Sequence, residues 1–308
     1  MKTTVENRFI WYNGEIVNVN DAKINVLAPT AQFGLNVFEG IPCYFNEEQK
    51  QLYAFRLDDH YERLLRSAEM LEINCPFSKD EMKKALIDAI KANEYDENLS
   101  VRQTLFVDGF GSWGAAEPVG MFVAPIPKRN TGKEYNKTGL NVCVSSWRRI
   151  SEDMMSPRIK CGANYINSRM GQREALKNGY DTCVFLNRFG KLSEGPGSCL
   201  FIVQDKTLIT PLLTDSVLES ITRDTVIKIA PRLGFNAIER SIDKTELYTA
   251  DEAFLCGSAM EITPILSVDG QKLNGGEAGF VTEKVHSEYL AVVKGEKIYS
   301  DIKITPVY

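Results

Sequence analysis

Histidine is scarce in this chain: two residues in 308, His60 and His286, are too few for a histidine-built metal cluster. Paired cysteine spacing is missing as well. Seven cysteines, an odd number with no C-x-x-C, suit buried reduced thiols better than a disulfide framework or a zinc site. There is no surplus of positive charge, since 36 lysines and arginines face 41 acids for a net charge of -5 and a pI near 5.4. The basic residues are dispersed among acids, which leaves no surface to hold a nucleic-acid backbone. No apolar run approaches the roughly 20 residues of a membrane helix, and MKTTVENRFIWY lacks the apolar stretch of a secretory signal. The cytoplasm is the expected location. Neither G-x-x-x-x-G-K-[ST] nor a G-x-G-x-x-G after a strand occurs, and GFGSWG at 109–114 resembles the latter only superficially. G-x-S-x-G is absent too. The GPGS at 195–198 puts its serine after the second glycine, where no nucleophile elbow would have it.

What is present describes an ordinary globular chain, 44% hydrophobic and 25% charged, able to bury one large core or two moderate ones. FIWYNGEIVNV reads as a hairpin, because alternating aromatic and β-branched residues flank the Asn-Gly dipeptide that best accepts a tight turn. Asp58 or Asp59 is placed to cap a helix through Leu64, Leu65, Ala68 and Leu71. SKDE at Ser78 to Glu81 is a capping box ahead of Met82, Leu86, Ala89 and Ile90. LSVRQTLFVDGF and GMFVAPIP are strand-like. The polar stretch from 127 to 138, bounded by Pro and Gly, is the expected linker. Beyond it GLNVCVSSW, DTCVFLN, KLSEG, CLFIVQD and TLITP are short β-rich runs. A helix is expected from about Asn164 to Gly179, and another across ITRDTVIKIAPRLGF, ending near Gly234. Helices and strands without regular βαβ alternation define an α+β class. Two domains are expected, a smaller one over residues 1–126 and a larger one over 139–308 that carries Lys160.

Several polar residues stand in turn-like settings. Lys160 in SPRIKCGANYINS lies between an apolar segment and a small-residue turn; taken alone it reads as a solvated charge. Glu194 ends a strand just before Gly-Pro-Gly, either as a surface group or as a partner for a cationic ring nitrogen. VLESITRD opens a helix with Ser220 as its cap, and the first amides, at Ile221 and Thr222, are of the kind that receives phosphate. CGSAMEITP offers a second anion-receiving turn around Ser258 and Ala259.

YNGEIV, FGLNVFEGI, HYERLLRSAEML, SSWRR, KCGANYINS, GYDTCVFLN, LSEGPGSCLFIV, ESITRD and GSAMEITPI, in this order over nearly the whole chain, resemble the class IV pyridoxal-phosphate (PLP) aminotransferases, most closely the branched-chain amino acid aminotransferases. The resemblance implies the two-domain fold type IV architecture of PLP enzymes. It also implies a homodimer in which a loop from one subunit helps close the other's pocket. By it, Lys160 matches the lysine that forms a Schiff base with the cofactor aldehyde and then carries a proton from the substrate α-carbon. A lysine that must attack as the neutral amine is expected to be buried. Glu194 matches the carboxylate on the pyridine nitrogen, Tyr165 the donor to the phenolic oxygen, and Arg63 the phosphate-binding arginine, with Ile221, Thr222 and Ser258 completing the phosphate cup. Phe38 matches a substrate-pocket wall, and Arg102 is placed to meet a second carboxylate such as that of glutamate.

The departures bear on substrate choice. Ser100 stands where the family usually has a pocket tyrosine, and Ser198-Cys199 replace a usual Glu-Asn. Ser220 replaces a glycine, Ser258 a threonine, and Met260 a small residue beside Ala259 in the carboxylate-receiving turn. The implied activity is transamination of a branched-chain or related L-amino acid with 2-oxoglutarate. Alternatives are an aminotransferase with shifted donor choice, a PLP lyase of the aminodeoxychorismate type, against which VFEGI argues, and a non-catalytic homologue.

Overall fold

The structure, a computed structural model, describes residues 7–128 and 139–308; the expected linker lies outside the described residues from 129 on. The described chain divides into two compact units. The first holds the residues ahead of the linker together with Ile159–Ala163 and Val293–Tyr308, and the second holds those after it up to Arg158 together with Asn164–Val292. The division does not follow the chain in order. Lys160 belongs with the first unit, not with the residues that flank it in sequence, because the Val37–Cys161 bridge and the Phe38 N–H to Lys160 carbonyl bond (3.0 Å) tie its segment to a strand there.

In the first unit the elements are β1 (Phe9–Tyr12), β2 (Glu15–Asn18), α1 (Pro29–Phe33), β3 (Asn36–Asn46), β4 (Gln51–Phe55), α2 (Leu57–Met70), α3 (Lys79–Lys91), β5 (Leu99–Val107) and β6 (Val119–Pro127). The β1–β2 turn has Asn13 at φ 47° and Gly14 at φ 107°, the left-handed pair that the Asn-Gly dipeptide accommodates. These strands and the terminal strand Ile304–Pro306 form an antiparallel sheet in the order terminal strand, β4, β3, β5, β6, β1, β2. Alternation along β3 sends Val37, Ile41 and Cys43 into a core shared with Leu64 and Ala68 of α2 and Met82, Leu86 and Ala89 of α3. Glu39 falls on the same phase of the strand. The α3 start is the expected capping box, Ser78 with Glu81. The α2 start is not as expected: Asp58 and Asp59 lie inside the first turn, and the cap is Arg56 in the left-handed region (φ 47°) with no side-chain cap bond. Two acids still complement the helix dipole there.

The second unit contains β7 (Leu140–Arg148), α4 (Tyr165–Lys177), β8 (Thr182–Leu186), β9 (Cys199–Gln204), β10 (Thr207–Thr210), α5 (Ile221–Ile229), β11 (Asn236–Glu239), α6 (Lys244–Thr249), β12 (Glu252–Gly257), β13 (Glu261–Val268), β14 (Gln271–Lys272) and α7 (Phe280–Val293). Its sheet is mixed, in the order β11, β10, β9, β12, β13, β7, β8 with β14 on β13; β10–β11, β13–β7 and β7–β8 run parallel. KLSEG, expected as a strand, pairs only through isolated bridges, among them Glu194 with Cys199. The helix expected to reach Gly234 ends at Ile229 and tightens into a 3-10 turn over Ala230–Leu233, where Pro231 removes an amide. Among the described residues no helix is long and apolar enough to cross a membrane.

Candidate active site

Each unit carries its own set of the expected residues. In the first, β3 and α2 form the frame. Glu39 is wholly buried and receives Arg63 as a fork, Nε to Oε1 at 2.7 Å and Nη2 to Oε2 at 2.8 Å, together with His60 Nδ1 to Oε2 at 2.7 Å. His60 and Arg63 are one turn apart, so both reach the same side of α2. The next residue on that side, Ser67, accepts the backbone N–H of Lys160 at 3.2 Å. Lys160 is thus pinned through its amide to α2 and through its carbonyl to Phe38 of β3. Its Nζ stands 5.1 Å from the centroid of the Phe38 ring, and the Arg102 guanidinium stacks 4.0 Å from the same centroid. The lysine is half-buried, not buried as expected; its backbone is what the fold fixes. Ser100 faces Pro42 and Arg102 faces Gly40 across β5 and β3.

Electrostatics in this set follow from burial. Burial pushes the Glu39 carboxyl up, but Arg63 and then His60 outweigh it and hold the group far below the usual carboxylate range. Burial takes His60 below its ordinary value against the pull of Glu39, with Arg63 and Lys160 adding to the depression. His60 is therefore neutral, with Nδ1–H donating to Glu39. Its Nε2 is buried with no hydrogen-bond partner among the described residues.

In the second unit Glu194 is the centre. Arg149 donates Nε and Nη2 to its Oε1 (2.9 and 2.8 Å), and Oε2 accepts the Leu218 N–H (3.2 Å) and the Cys199 thiol (3.7 Å). Burial and then Glu194 push that thiol up to about 12. Through Nη1, Arg149 also reaches Asn167 Oδ1 (3.1 Å) and Ser168 Oγ (3.4 Å) in the first turn of α4, whose first residue is Tyr165. One arginine thereby ties the Glu194 turn to the Tyr165 helix. The turn is tight, with Gly195 N–H to Ser198 carbonyl at 2.7 Å, and a Cβ on Gly257 would sit 3.2 Å from the Gly197 carbonyl. Close backbone approach there favours glycine. Leu218 leads into α5, where Ser220 Oγ caps the Arg223 amide at 3.2 Å and Thr222 is buried. Ser258 and Met260 are half-buried and Ala259 exposed in the β12–β13 turn.

Lys160, Arg63, Phe38, Ser100 and Arg102 are therefore set on the first unit, and Tyr165, Glu194, Ile221, Thr222, Ser258, Ala259 and Met260 on the second. Sequence reasoning missed Glu39, His60 and Arg149. The signal was present: Glu39 sits on the apolar phase of β3, and His60 and Arg63 share the face of Leu64, positions where an unpaired charge would not be tolerated.

The model of the amino-transferase class IV family matches residues 36–268. The chain is 36% identical over 299 residues to the branched-chain-amino-acid aminotransferase of Escherichia coli (strain K12), covering 96% of each. Among solved structures it superposes on the branched-chain aminotransferase of Thermoproteus uzoniensis (TM-score 0.91, 40% identity, 98% and 99% of the two chains). It superposes as well on the branched-chain amino acid aminotransferase of Thermobaculum terrenum in its PLP form (TM-score 0.91, 40% identity, 98% and 99%). The chain belongs to this family, the class IV aminotransferases, whose cofactor is pyridoxal phosphate. Taken unit by unit, the chemistry present is of the kind that group needs: a primary amine on a fixed backbone and a buried planar guanidinium in the first, a capped helix start and a buried carboxylate in the second.

Proposed function

We propose that this enzyme moves the amino group of a branched-chain or related L-amino acid to 2-oxoglutarate, with Lys160 as the Schiff-base lysine. The observation that carries the reading is the double backbone clamp on Lys160, to Ser67 of α2 and Phe38 of β3, which fixes where its side chain originates. A catalytic amine has to be delivered from a fixed point. The bound cofactor supplies an electron sink for the charge left when the substrate α-carbon loses its proton. Lys160 carries that proton. Arg63, Ile221, Thr222 and Ser258 hold the phosphate, Glu194 the proton of the ring nitrogen, and Tyr165 the phenolic oxygen. Phe38 and Ser100 border the substrate side chain, Ala259 and Met260 its carboxylate, and Arg102 the second carboxylate of the glutamate pair. The similarity to enzymes named for branched-chain amino acids supports the donor class. We further propose a cytoplasmic homodimer as the working form.

The test is direct. Purified protein should be yellow, bleach on borohydride reduction, and form glutamate from leucine plus 2-oxoglutarate, and Lys160→Ala should lose turnover while keeping its circular dichroism spectrum. Protein that stays colourless with added PLP, or a K160A variant that still transaminates, sinks the proposal. Release of pyruvate from aminodeoxychorismate, without glutamate formation, would identify the lyase instead.

A further inference from the structure

We propose that His60 and Glu39 are positioning residues for the cofactor phosphate, His60 acting through its Nδ1–H on Glu39 and Glu39 through its fork on Arg63. The inference rests on the cofactor reading above and deepens it. The geometry is a relay of three side chains in one buried layer. His60 Nδ1 meets Oε2 of Glu39 at 2.7 Å, and both Glu39 oxygens meet Arg63 at 2.7 and 2.8 Å. With two guanidinium nitrogens committed to one carboxylate, the plane of Arg63 is set by the plane of Glu39. The fork couples the two planes to each other, and the second donor, His60 on Oε2, anchors the coupled pair to a further residue of α2.

His60 has no evident packing reason to be a histidine, because its Nε2 is buried with no partner among the described residues, a cost that an apolar side chain would avoid. What only a side chain with a donor at the Nδ1 position achieves here is the contact to Glu39. The same two elements also fix the lysine segment: Glu39 follows Phe38, whose amide holds the Lys160 carbonyl, and Ser67 on α2 holds the Lys160 amide. The spacing from the Lys160 backbone to the Arg63 fork is therefore set within one strand and one helix. Burial keeps His60 neutral, so the relay orients Arg63 without adding charge beside Lys160.

The test compares two amides of different reach. His60→Asn places its NH2 near Nδ1, whereas His60→Gln places it near Nε2. Dissociation constants of the full-length apoenzyme are measured for PLP and for pyridoxal, which has the aldehyde and ring but no phosphate. H60Q should weaken PLP binding about tenfold and pyridoxal less than twofold, and H60N should stay within about threefold of wild type for both. Equal losses for the two ligands would assign His60 to general packing and overturn the proposal, as would unchanged PLP binding in H60Q or identical behaviour of the two variants. Glu39→Gln, which breaks the fork, should reproduce the H60Q pattern more strongly and serves if H60Q does not fold. Wild-type protein that binds neither ligand would refute the cofactor reading, and this proposal with it.

Discussion

Replacing Arg149 with methionine leaves the Glu194 carboxylate buried without its cation. The two side chains are 7% and 5% exposed, and Arg149 supplies two of the donors to Oε1 while also bonding Asn167 and Ser168. Removing one partner of a buried pair costs about 3–5 kcal/mol, because the remaining charge keeps its desolvation and loses its compensation. The Leu218 amide and the Cys199 thiol stay on Oε2 and place Arg149→Met toward the lower end. Urea unfolding of the apo form at pH 7, followed by circular dichroism, reads this as a midpoint shift. With m about 2 kcal/mol/M, the lower end of that range gives an expected drop of roughly 1.5 M in the transition of the second unit. The double variant R149M/E194M should recover most of it, since apolar side chains of similar volume replace a buried pair at little net cost. A drop below about 0.3 M in R149M, or a double variant as unstable as the single, would refute the account of Arg149 as the counter-charge of Glu194.

Acid should weaken the first unit in two stages. The folded-state value of His60 lies below its ordinary 6.5, so its contribution is complete above that pH and is lost as pH falls below it, when the unfolded chain takes up protons that the folded chain does not. Glu39, depressed from its ordinary 4.5, contributes above that pH and loses its contribution below it. Urea midpoints between pH 8 and 4 should decline on both stages, and H60N should remove the upper one for this unit; a flat profile above pH 5 in wild type rejects the buried neutral His60. On substrate choice, Ser100 in place of a ring should admit donors beyond leucine, isoleucine and valine, and S100Y should narrow the profile by about tenfold in kcat/KM for the bulkiest of them, about 1.4 kcal/mol. A wild-type profile confined to those three amino acids shows that the missing tyrosine is immaterial.

Local signals were legible where one residue pair dictates geometry. The Asn13–Gly14 hairpin and the Ser78–Glu81 capping box are of this kind, each fixed by dihedral preference or by two reciprocal bonds. The α2 start escaped notice because Arg56 takes a left-handed backbone that its side chain does not advertise; its guanidinium instead donates to Asp59 at 2.8 Å. KLSEG has strand-like composition but only isolated partners, because Leu192 and Lys191 pair with separate strands and loops. The unit that holds Lys160 was hidden for a different reason. Its membership depends on Val37 meeting Cys161, and register between segments so distant in sequence leaves no periodicity to read.

The residues of the site differ in how freely they can change. Glu39, His60, Arg63, Arg149 and Glu194 form two buried groups in which each member compensates another, so replacing one strands a charge or an orphan donor. Ser100 and Met260 are half-buried and Ala259 is exposed, and a change there alters shape without leaving a charge unpaired. The departures from the family pattern leave the members of these two groups alone. Ser198 stands where the resemblance has a glutamate, so a charge is lost there, but none of Glu39, His60, Arg63, Arg149 and Glu194 is among the departures, and the Cys199 thiol approaches Glu194. On the proposed assignment, in which Ser100 and Met260 border the substrate and the two buried groups serve the cofactor, the donor profile and cofactor retention should respond to different substitutions.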